Sequence, residues 1–463
     1  MKLYRLLFAI AMITTHVFSM TIYIRTPSMG TLSLEAEAGD SIENIKALIQ
    51  DSINIPPDRQ ELFYGSYSLD NGMTLSDYNI PRLSVLDLVL LRTISERVLP
   101  TNYTSSYNAS KSLDLINDNI ISYPSMSQTI TVLNSLTNDS ELAMAVEGTT
   151  PVVINSIMIV SSHIPHSLQK IVEQRQNNNF EISPKDNTTQ EKIFWVKPFG
   201  SFTEQKNKNG INGFNANEFG LAVGFDKNLK NGSQVGVSFF CTNIGLDVKN
   251  MNQDAELKTF ATMLYGTTQT LNGKINFLYQ LGYIVEQVET NRKLFTNENA
   301  ISGYTSFGSF ANIKILNTVN VSENLTIQPM LGFSYNHYHS PAFNESGAES
   351  LNLNVDGFTI NQLATEAGYM IYYKLDNSSK IFGYLNAQYI LNDYKNEIYS
   401  SYEGANDIKF ATPGINNNKL SYDVGVGYEK NIKQSTNISA SYNLNGDNYY
   451  KNHLFSMKYI YNF

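Results

Sequence analysis

The sequence predicts a multidomain protein with an N-terminal α+β domain, a partly helical linker and a C-terminal transmembrane antiparallel β-barrel of twelve strands. Three observations predict this fold class. Charged residues are only 16% of the 463 residues, whereas Tyr contributes 29 and Phe 24, which is atypical of a cytosolic enzyme. Helix and strand signals alternate over 20–95. Strict two-residue alternation of apolar and polar side chains recurs over 192–463.

The first residues have the pattern of a secretory signal. Lys2 and Arg5 supply a basic start, and a short apolar stretch follows. Ser19 is small enough to precede a cleavage site. We therefore predict a signal peptide over 1–19, with cleavage between Ser19 and Met20. The alternative is a membrane anchor, but the apolar stretch is too short to span a bilayer as a helix.

Residues 20–95 carry the signals of a compact mixed domain. Four stretches have the residue pattern of strands: 21–25, 31–36, 62–64 and 86–91. Three isoleucines recur at helical spacing: Ile42, Ile45 and Ile49. Asp40 is the predicted N-cap of that helix, and Pro56 and Pro57 are predicted to terminate it.

Asn, Ser and Thr dominate residues 96–150, which we predict to be a linker with short helices. Amphipathic stretches occur in it at 131–136 and 141–146. Residues 151–191 contain a longer helical pattern that is interrupted at Pro165. The two segments are therefore predicted to connect the domains on either side.

The alternating segments of 192–463 present one apolar, aromatic face and one small or polar face. In one segment the first face holds Phe219, Leu221, Val223 and Phe225, and the second holds Gly220, Ala222 and Gly224. A soluble sandwich also alternates, but its strands are usually shorter. Long, Tyr-rich segments favour a membrane barrel with its apolar face against lipid. We count twelve segments, and closed bacterial outer-membrane barrels have an even number.

The last segment carries a further signal. Its apolar face holds Phe455, Met457, Tyr459, Tyr461 and Phe463. Lipid contact explains this face, and the aromatic end is similar to the signal that outer-membrane barrel-assembly machinery recognises. We predict that Tyr459, Tyr461 and Phe463 form this signal, in a monomeric barrel whose partners are outer-membrane lipid and that machinery. The net charge of −9 suggests no nucleic-acid partner.

No pattern of an enzyme or cofactor site is found, so we predict no catalytic, cofactor-binding or metal-binding residues. The single cysteine, Cys241, is interpreted as a small apolar strand residue rather than a reactive thiol. His337 and His339 lie two apart on a strand and share a face, which in principle suits a metal. Exposed histidines at a strand end are commonplace, so the metal hypothesis is not preferred.

Four stretches of the C-terminal region carry a family resemblance: 194–200, 213–226, 291–292 and 345–356. In order and spacing they resemble the autotransporter translocator domain of type V secretion. In that family a helix threads the barrel lumen and connects the barrel to a passenger on the outer side. The resemblance therefore implies that the helix of 151–191 leads into the lumen.

Residues 20–92 resemble ubiquitin without a gap, and the best matches are 20–26, 40–51, 55–60 and 74–80. The resemblance implies a β-grasp fold. It also implies a candidate binding face at four positions, which are Pro27, Phe63, Asp87 and Val89. Asp87 stands where ubiquitin has a histidine, and Phe63 is large enough to anchor a binding site.

Two departures from ubiquitin concern conjugation. The chain continues through Thr93, Ile94 and Ser95, where ubiquitin ends in two glycines. Lys46 is the only lysine from Met20 to Ser95. We therefore predict an outer-membrane autotransporter that displays or releases a non-conjugatable ubiquitin mimic, with host ubiquitin-binding proteins as possible partners. Two alternatives stay open. One is an adhesin or structural surface protein whose ubiquitin fold is incidental, and the other is a porin-like barrel with a periplasmic ubiquitin-like domain.

Overall fold

The computed structural model divides the chain into two compact units, 1–97 and 98–463. The residues that it describes are 19–27, 30–101, 103–177, 192–229, 233–270, 274–393, 395–433 and 435–462. Residues 1–18 of the predicted signal peptide, and Phe463 of the predicted assembly signal, lie outside the described residues.

The first unit is a five-stranded mixed sheet packed on one long helix. Its elements are β1 (Ser19–Thr26), β2 (Gly30–Glu37), α1 (Ile42–Ile53), β3 (Gln60–Tyr64), β4 (Tyr67–Ser68), β5 (Val85–Leu90) and α2 (Ile94–Val98). The strand order is β2-β1-β5-β3-β4, with β1 parallel to β5. This is the predicted β-grasp arrangement.

Helix α1 closes the core of this unit. Its three predicted core residues, Ile42, Ile45 and Ile49, have no exposed surface. The predicted N-cap, Asp40, is wrong by one residue. The hydroxyl of Ser41 accepts the amide of Asn44 at 3.2 Å, while Asp40 accepts the amide of Glu37. Ser41 therefore takes the capping role, because its oxygen reaches the free N–H groups of the first turn.

Four helices precede the barrel: α3 (Tyr107–Asp118), α4 (Ser127–Ser135), α5 (Asp139–Gly148) and α6 (Val152–Asn177). The predicted interruption at Pro165 is wrong, since α6 continues through it. Proline removes one helical hydrogen bond. The nearby residues Ile164 and Leu168 are buried, so tertiary packing outweighs that loss.

The second unit contains the long strands that alternate in sequence. In chain order its strands are β6 (Lys192–Gln205), β7 (Phe214–Asn228), β8 (Gln234–Val248), β9 (Gln253–Thr270), β10 (Ile275–Lys293), β11 (Asn299–Asn317), β12 (Val319–Asn320), β13 (Leu325–Ser340), β14 (Phe343–Asn344), β15 (Leu353–Val355), β16 (Phe358–Lys374), β17 (Ser379–Ile390), β18 (Glu397–Tyr402), β19 (Ala405–Pro413), β20 (Leu420–Lys433), β21 (Thr436–Gly446) and β22 (Tyr450–Asn462).

Twelve of these described strands form a closed antiparallel barrel. Their order is β11-β10-β9-β8-β7-β6-β22-β21-β20-β17-β16-β13, and β11 pairs with β13 to close the ring. The short strand β12 pairs beside β13. The predicted strand number and antiparallel closure are confirmed.

The two faces of the strands lie as the alternation predicts. Phe219, Leu221 and Phe225 are exposed on the outside of the barrel, while Ala222 is fully buried toward the lumen. An apolar exterior and a buried, mostly polar interior are typical of a barrel whose solvent is lipid.

The two ends of the barrel differ. One end has tight connections, such as 375–378 between β16 and β17. The other end, which we call the mouth, has the long connections 341–357 and 391–419. Their strands form a small separate sheet, β14-β15-β18-β19. Helix α3 packs on this sheet, and the side-chain amide of Asn108 donates to the carbonyl of Ala411 at 2.8 Å.

No single helix among the described residues combines the length and the apolar composition that a membrane crossing needs. Helices α5 and α6 meet those criteria only when they are taken together, and they are bent by 55° relative to each other.

Candidate functional sites

Helix α6 lies lengthwise in the barrel lumen, as the resemblance implies. At its N-terminal end the side-chain amide of Asn155 donates to the carbonyl of Thr412 in the mouth. Near its C-terminal end Gln176 donates to the carbonyl of Gly266, close to the tight connections. The helix therefore runs from one end of the barrel to the other, and apolar residues such as Leu168 pack between it and the wall.

A buried charge network holds the C-terminal half of α6. The ammonium of Lys170 lies 2.8 Å from Glu366 and 2.7 Å from Asp423, both on the wall. Lys314 lies 2.7 Å from Glu366 and 2.8 Å from Glu173 of the helix. Buried charges need partners of this kind, because an unpaired charge in the lumen would cost several kcal/mol. The network fixes both the rotation and the height of the helix.

A second network holds the last turn of α6. Arg175 donates to both oxygens of Asp226, at 2.7 and 3.1 Å. Tyr265 donates to the same carboxylate, and the indole of Trp195 donates to Tyr265, each at 2.8 Å. The helix is therefore anchored at the end of the barrel with the tight connections.

Neither network makes a metal site. Among the residues that the structure describes, no group of three His, Cys, Asp or Glu side chains could hold a metal ion. His337 and His339 share the outward face of β13, and their rings contact Asn361 and Thr359. Cys241 is exposed on the outward face of β8.

The four candidate residues of the ubiquitin-like face lie on the exposed side of the first unit. Phe63 and Asp87 face each other across the antiparallel pair β3–β5. Val89 lies two residues further along β5, and both Val89 and Pro27 are exposed. Phe63 is half-buried, so its ring is partly available for contact.

Sequence reasoning missed Arg25, which belongs to the same face. It pairs with Asp87 on the parallel strands β1 and β5. Its Nη2 donates to Asp87 Oδ2 at 2.7 Å, and its Nε donates to Oδ1. The Arg25 guanidinium lowers the pKa of the Asp87 carboxyl through this hydrogen bond. The charge that Asp87 adds to the face is therefore compensated in place.

The chain after β5 turns into a helix instead of extending. Thr93 and Glu96 form a capping box at the start of α2. The Thr93 hydroxyl accepts the amide of Glu96, and the Glu96 carboxylate accepts the amide of Thr93 at 2.8 Å. Arg59 also donates to Glu96 at 3.2 Å. The segment that follows the ubiquitin-like sheet is thus held in a folded conformation.

The remaining predicted residues lie at the start of the first strand and in the last strand. Ser19 begins β1, and its hydroxyl donates to Glu35 at 2.6 Å, while Met20 is buried. Tyr459 and Tyr461 are exposed on the outward face of β22. Cleavage after Ser19 and recognition of the last aromatic residues stay predictions.

The sequence of the second unit matches the model of a known family. The model of the Autotransporter beta-domain matches residues 194–443, which is more than half of the chain. The chain belongs to the autotransporter family. The model of the Ubiquitin family matches residues 22–93, so this autotransporter carries a ubiquitin-like domain at its N-terminal side.

Relatives of the barrel are outer-membrane proteins. Outer membrane protein A of Rickettsia rickettsii is 21% identical over 310 residues, covering 61% of this chain and 14% of that protein. Outer membrane protein B of Rickettsia japonica is 26% identical over 176 residues, covering 35% of this chain and 10% of that protein. The autotransporter therefore spans a small part of the length of these relatives. Together with the closed barrel, they support a location in the outer membrane.

Two further comparisons concern the fold. The NEDD8-like protein RUB3 of Arabidopsis thaliana is 38% identical over 71 residues, covering 15% of this chain and 91% of that protein. The translocator domain of autotransporter NalP from Neisseria meningitidis superposes with a TM-score of 0.54 at 13% identity. That likeness covers 67% of this chain and 99% of the NalP domain. At this identity it shows the barrel fold alone.

Proposed function

We propose that this autotransporter exports its ubiquitin-like domain and holds it outside the cell as a non-conjugatable ubiquitin mimic. The observation that carries the proposal is the direction of α6 in the lumen. Its N-terminal end lies at the mouth, among the long connections, and its C-terminal end lies among the tight ones. In bacterial outer-membrane barrels the tight turns face the periplasm and the long loops face outward. The chain before α6 therefore leaves the barrel on the outer side.

The exposed face of the ubiquitin-like sheet supports mimicry. Phe63 and Val89 offer an apolar centre, and Arg25 and Asp87 beside them satisfy each other. A receptor that contacts this face would meet a compensated ion pair instead of a lone carboxylate, which removes a reason for rejection. Host proteins with ubiquitin-binding domains are the partners that such a face fits.

The conformation after β5 supports the absence of conjugation. Conjugation requires a slim, extended tail that ends in a free glycine. Here the capping box of Thr93 and Glu96 folds that segment into α2. Lys46, the single lysine of 20–95, is mostly buried, so chain extension on this domain is also disfavoured.

Protease treatment of intact cells tests display. We expect the protease to remove residues 20–95 while the barrel stays assembled, as judged by its heat-modifiable mobility on a gel. Protection of residues 20–95 until the cells are permeabilised would contradict display and favour the porin-like alternative.

A binding assay tests mimicry. Residues 20–97 lie in one compact unit with a hydrophobic core of its own, so the assay uses them as an isolated domain. We expect binding to one or more ubiquitin-binding domains that Phe63→Ala abolishes. Tyr67→Ala is the matched control, because Tyr67 is an exposed aromatic residue on the edge strand β4. If both variants bind as well as the unsubstituted domain, or if the unsubstituted domain does not bind at all, mimicry is contradicted and a structural or adhesive role is favoured.

A further inference from the structure

The segment that joins α5 to α6, residues 148–153, which we call the 148–153 turn, is bound by the mouth of the barrel at four polar groups. Arg292 Nη1 donates to the carbonyl of Gly148 at 3.0 Å. The Tyr402 hydroxyl lies 2.6 Å from the Thr149 hydroxyl. Gln253 donates to the carbonyl of Thr150 at 2.9 Å and accepts the amide of Val153 at 3.0 Å. We call Arg292, Gln253 and Tyr402 the mouth clamp.

Arg292 of the clamp is also held by contacts that do not involve the turn. Arg292 and Gln253 are direct partners on the neighbouring strands β10 and β9. Arg292 has no exposed surface, and both oxygens of Glu345 accept its donors. Glu345 in turn accepts the amide of Leu353 in β15. The guanidinium is therefore oriented by the wall and the mouth sheet, and one of its nitrogens remains for the turn.

The clamp recognises a folded helix end. Gly148 is the last residue of α5, and its carbonyl belongs to the last turn, whose carbonyls have no helical partner. A cation placed there meets both a free acceptor and the negative end of the helix dipole. An extended chain passing through the lumen offers no such arrangement of carbonyls. The contacts can form only after α5 has folded at the mouth.

We propose that the mouth clamp stops chain movement, by binding the 148–153 turn once α5 has folded, so that α6 comes to rest in the lumen. The inference rests on the proposed outward export. In this proposal Arg292, Gln253 and Tyr402 are positioning residues. Their side chains determine which part of the chain comes to rest in the lumen, and they take no part in barrel closure. An unclamped Arg292 would leave a buried charged donor unsatisfied, so the bound register is the preferred one.

Cysteine accessibility in the outer membrane tests the register. The full-length protein with Cys241→Ser and Ser161→Cys places one thiol on α6, where Ser161 is buried against Glu286. An impermeant maleimide is added to intact cells. We expect Arg292→Leu to raise the labelling rate about tenfold, the factor that corresponds to loss of one hydrogen bond to a buried charge. Lys249→Leu is the matched control, because Lys249 pairs with Glu204 at the same mouth without touching the turn.

A second pair of variants keeps the test decisive if Arg292→Leu does not assemble. Tyr402→Phe removes the hydrogen bond to the Thr149 hydroxyl. Thr149→Val removes that bond and also the bond from the Thr149 hydroxyl to the carbonyl of Val146. Both variants leave every charge in place. We expect each to raise labelling, and the double variant to raise it no further than Thr149→Val alone. Assembled barrels in which labelling equals that of the Lys249→Leu control, or additive effects in the double variant, would overturn the proposal. Failure of display is seen separately, as protection of residues 20–95 from protease in the protein without these substitutions.

Discussion

Arg25 and Asp87 lie opposite each other on the parallel strands β1 and β5, and their side chains form a two-point ion pair beside Phe63. The planar guanidinium matches the carboxylate with two parallel hydrogen bonds, which a lysine cannot provide. The pair therefore gives this ubiquitin-like face a fixed arrangement of charges around its apolar centre.

The first prediction concerns acid stability of the isolated domain, 20–97. The pKa of Asp87 is lowered in the folded state, so its contribution is present above the unfolded pKa and lost as pH falls through the folded pKa. We expect Asp87→Asn to lose less thermal stability than the unsubstituted domain between about pH 5 and about pH 2.5. Asp51→Asn, which changes an exposed carboxylate on α1, is the control. Equal pH slopes for the two variants, by thermal melts, would contradict the assignment.

The second prediction concerns activation. We expect that the purified domain, truncated after Ser95, forms no thioester with a ubiquitin-activating enzyme, because Thr93–Ser95 supply neither the glycine nor the slim tail that activation requires. Ubiquitin in the same reaction is the positive control, and a gel without reducing agent detects the thioester. A band that depends on ATP and is sensitive to thiols would show that the domain can be activated after all.

The third prediction concerns the barrel wall. Gly224 lies under the buried ring of Trp195, and a Cβ there would lie 2.2 Å from the indole. We expect Gly224→Ala to destabilise the assembled barrel by about 1–3 kcal/mol, the usual cost of overpacking. Gly245→Ala is the control, because a Cβ at that outward-facing position meets no atom within 4 Å. The measurement is the temperature at which each barrel loses its fast gel mobility, and equal temperatures for the two variants would refute the packing argument.

The fourth prediction concerns the helices at the mouth. Burial raises the pKa of Glu147 on α5 to about 7, although a hydrogen bond from Ser105 opposes the shift. Because the folded pKa is raised, the associated stability is present below the unfolded value and is lost as pH rises through about 7. We expect proteolysis of 98–148 in the detergent-solubilised protein to become faster from about pH 4.5 to about pH 7 and to level off above that, and Glu147→Gln to flatten this dependence. Glu141→Gln, on the exposed side of α5, should leave it unchanged. A pH dependence that survives Glu147→Gln would contradict this assignment.

Local patterns in the sequence predicted the barrel because lipid and lumen impose opposite preferences on alternate residues. The outward face of Phe219, Leu221 and Phe225 follows directly from that alternation. The same reasoning failed where tertiary packing overrides local preference. Helix α6 continues through Pro165 because the barrel wall surrounds it, and α3 forms within a segment rich in Asn and Ser because it packs on β19.

The contacts that define the sites join residues far apart in the chain, so periodicity could not reveal them. Lys170 meets Glu366 and Asp423 only when the barrel has closed around α6. The pairing of Arg25 with Asp87 could have been predicted from the ubiquitin resemblance, since the resemblance implies that β1 and β5 are neighbours. A search of that register for opposite charges would have found the pair.

The orientation of the chain across the membrane is the central claim, and one labelling experiment tests it most directly. In a Cys241→Ser background, Tyr67→Cys marks the ubiquitin-like domain, and Asn377→Cys marks a tight connection between β16 and β17. Both positions are exposed, so each thiol is free to react wherever the reagent can reach it. With an impermeant maleimide we predict that intact cells label Tyr67→Cys, and that Asn377→Cys is labelled only after the outer membrane is permeabilised. Labelling of Asn377→Cys in intact cells, with Tyr67→Cys protected, would contradict the account.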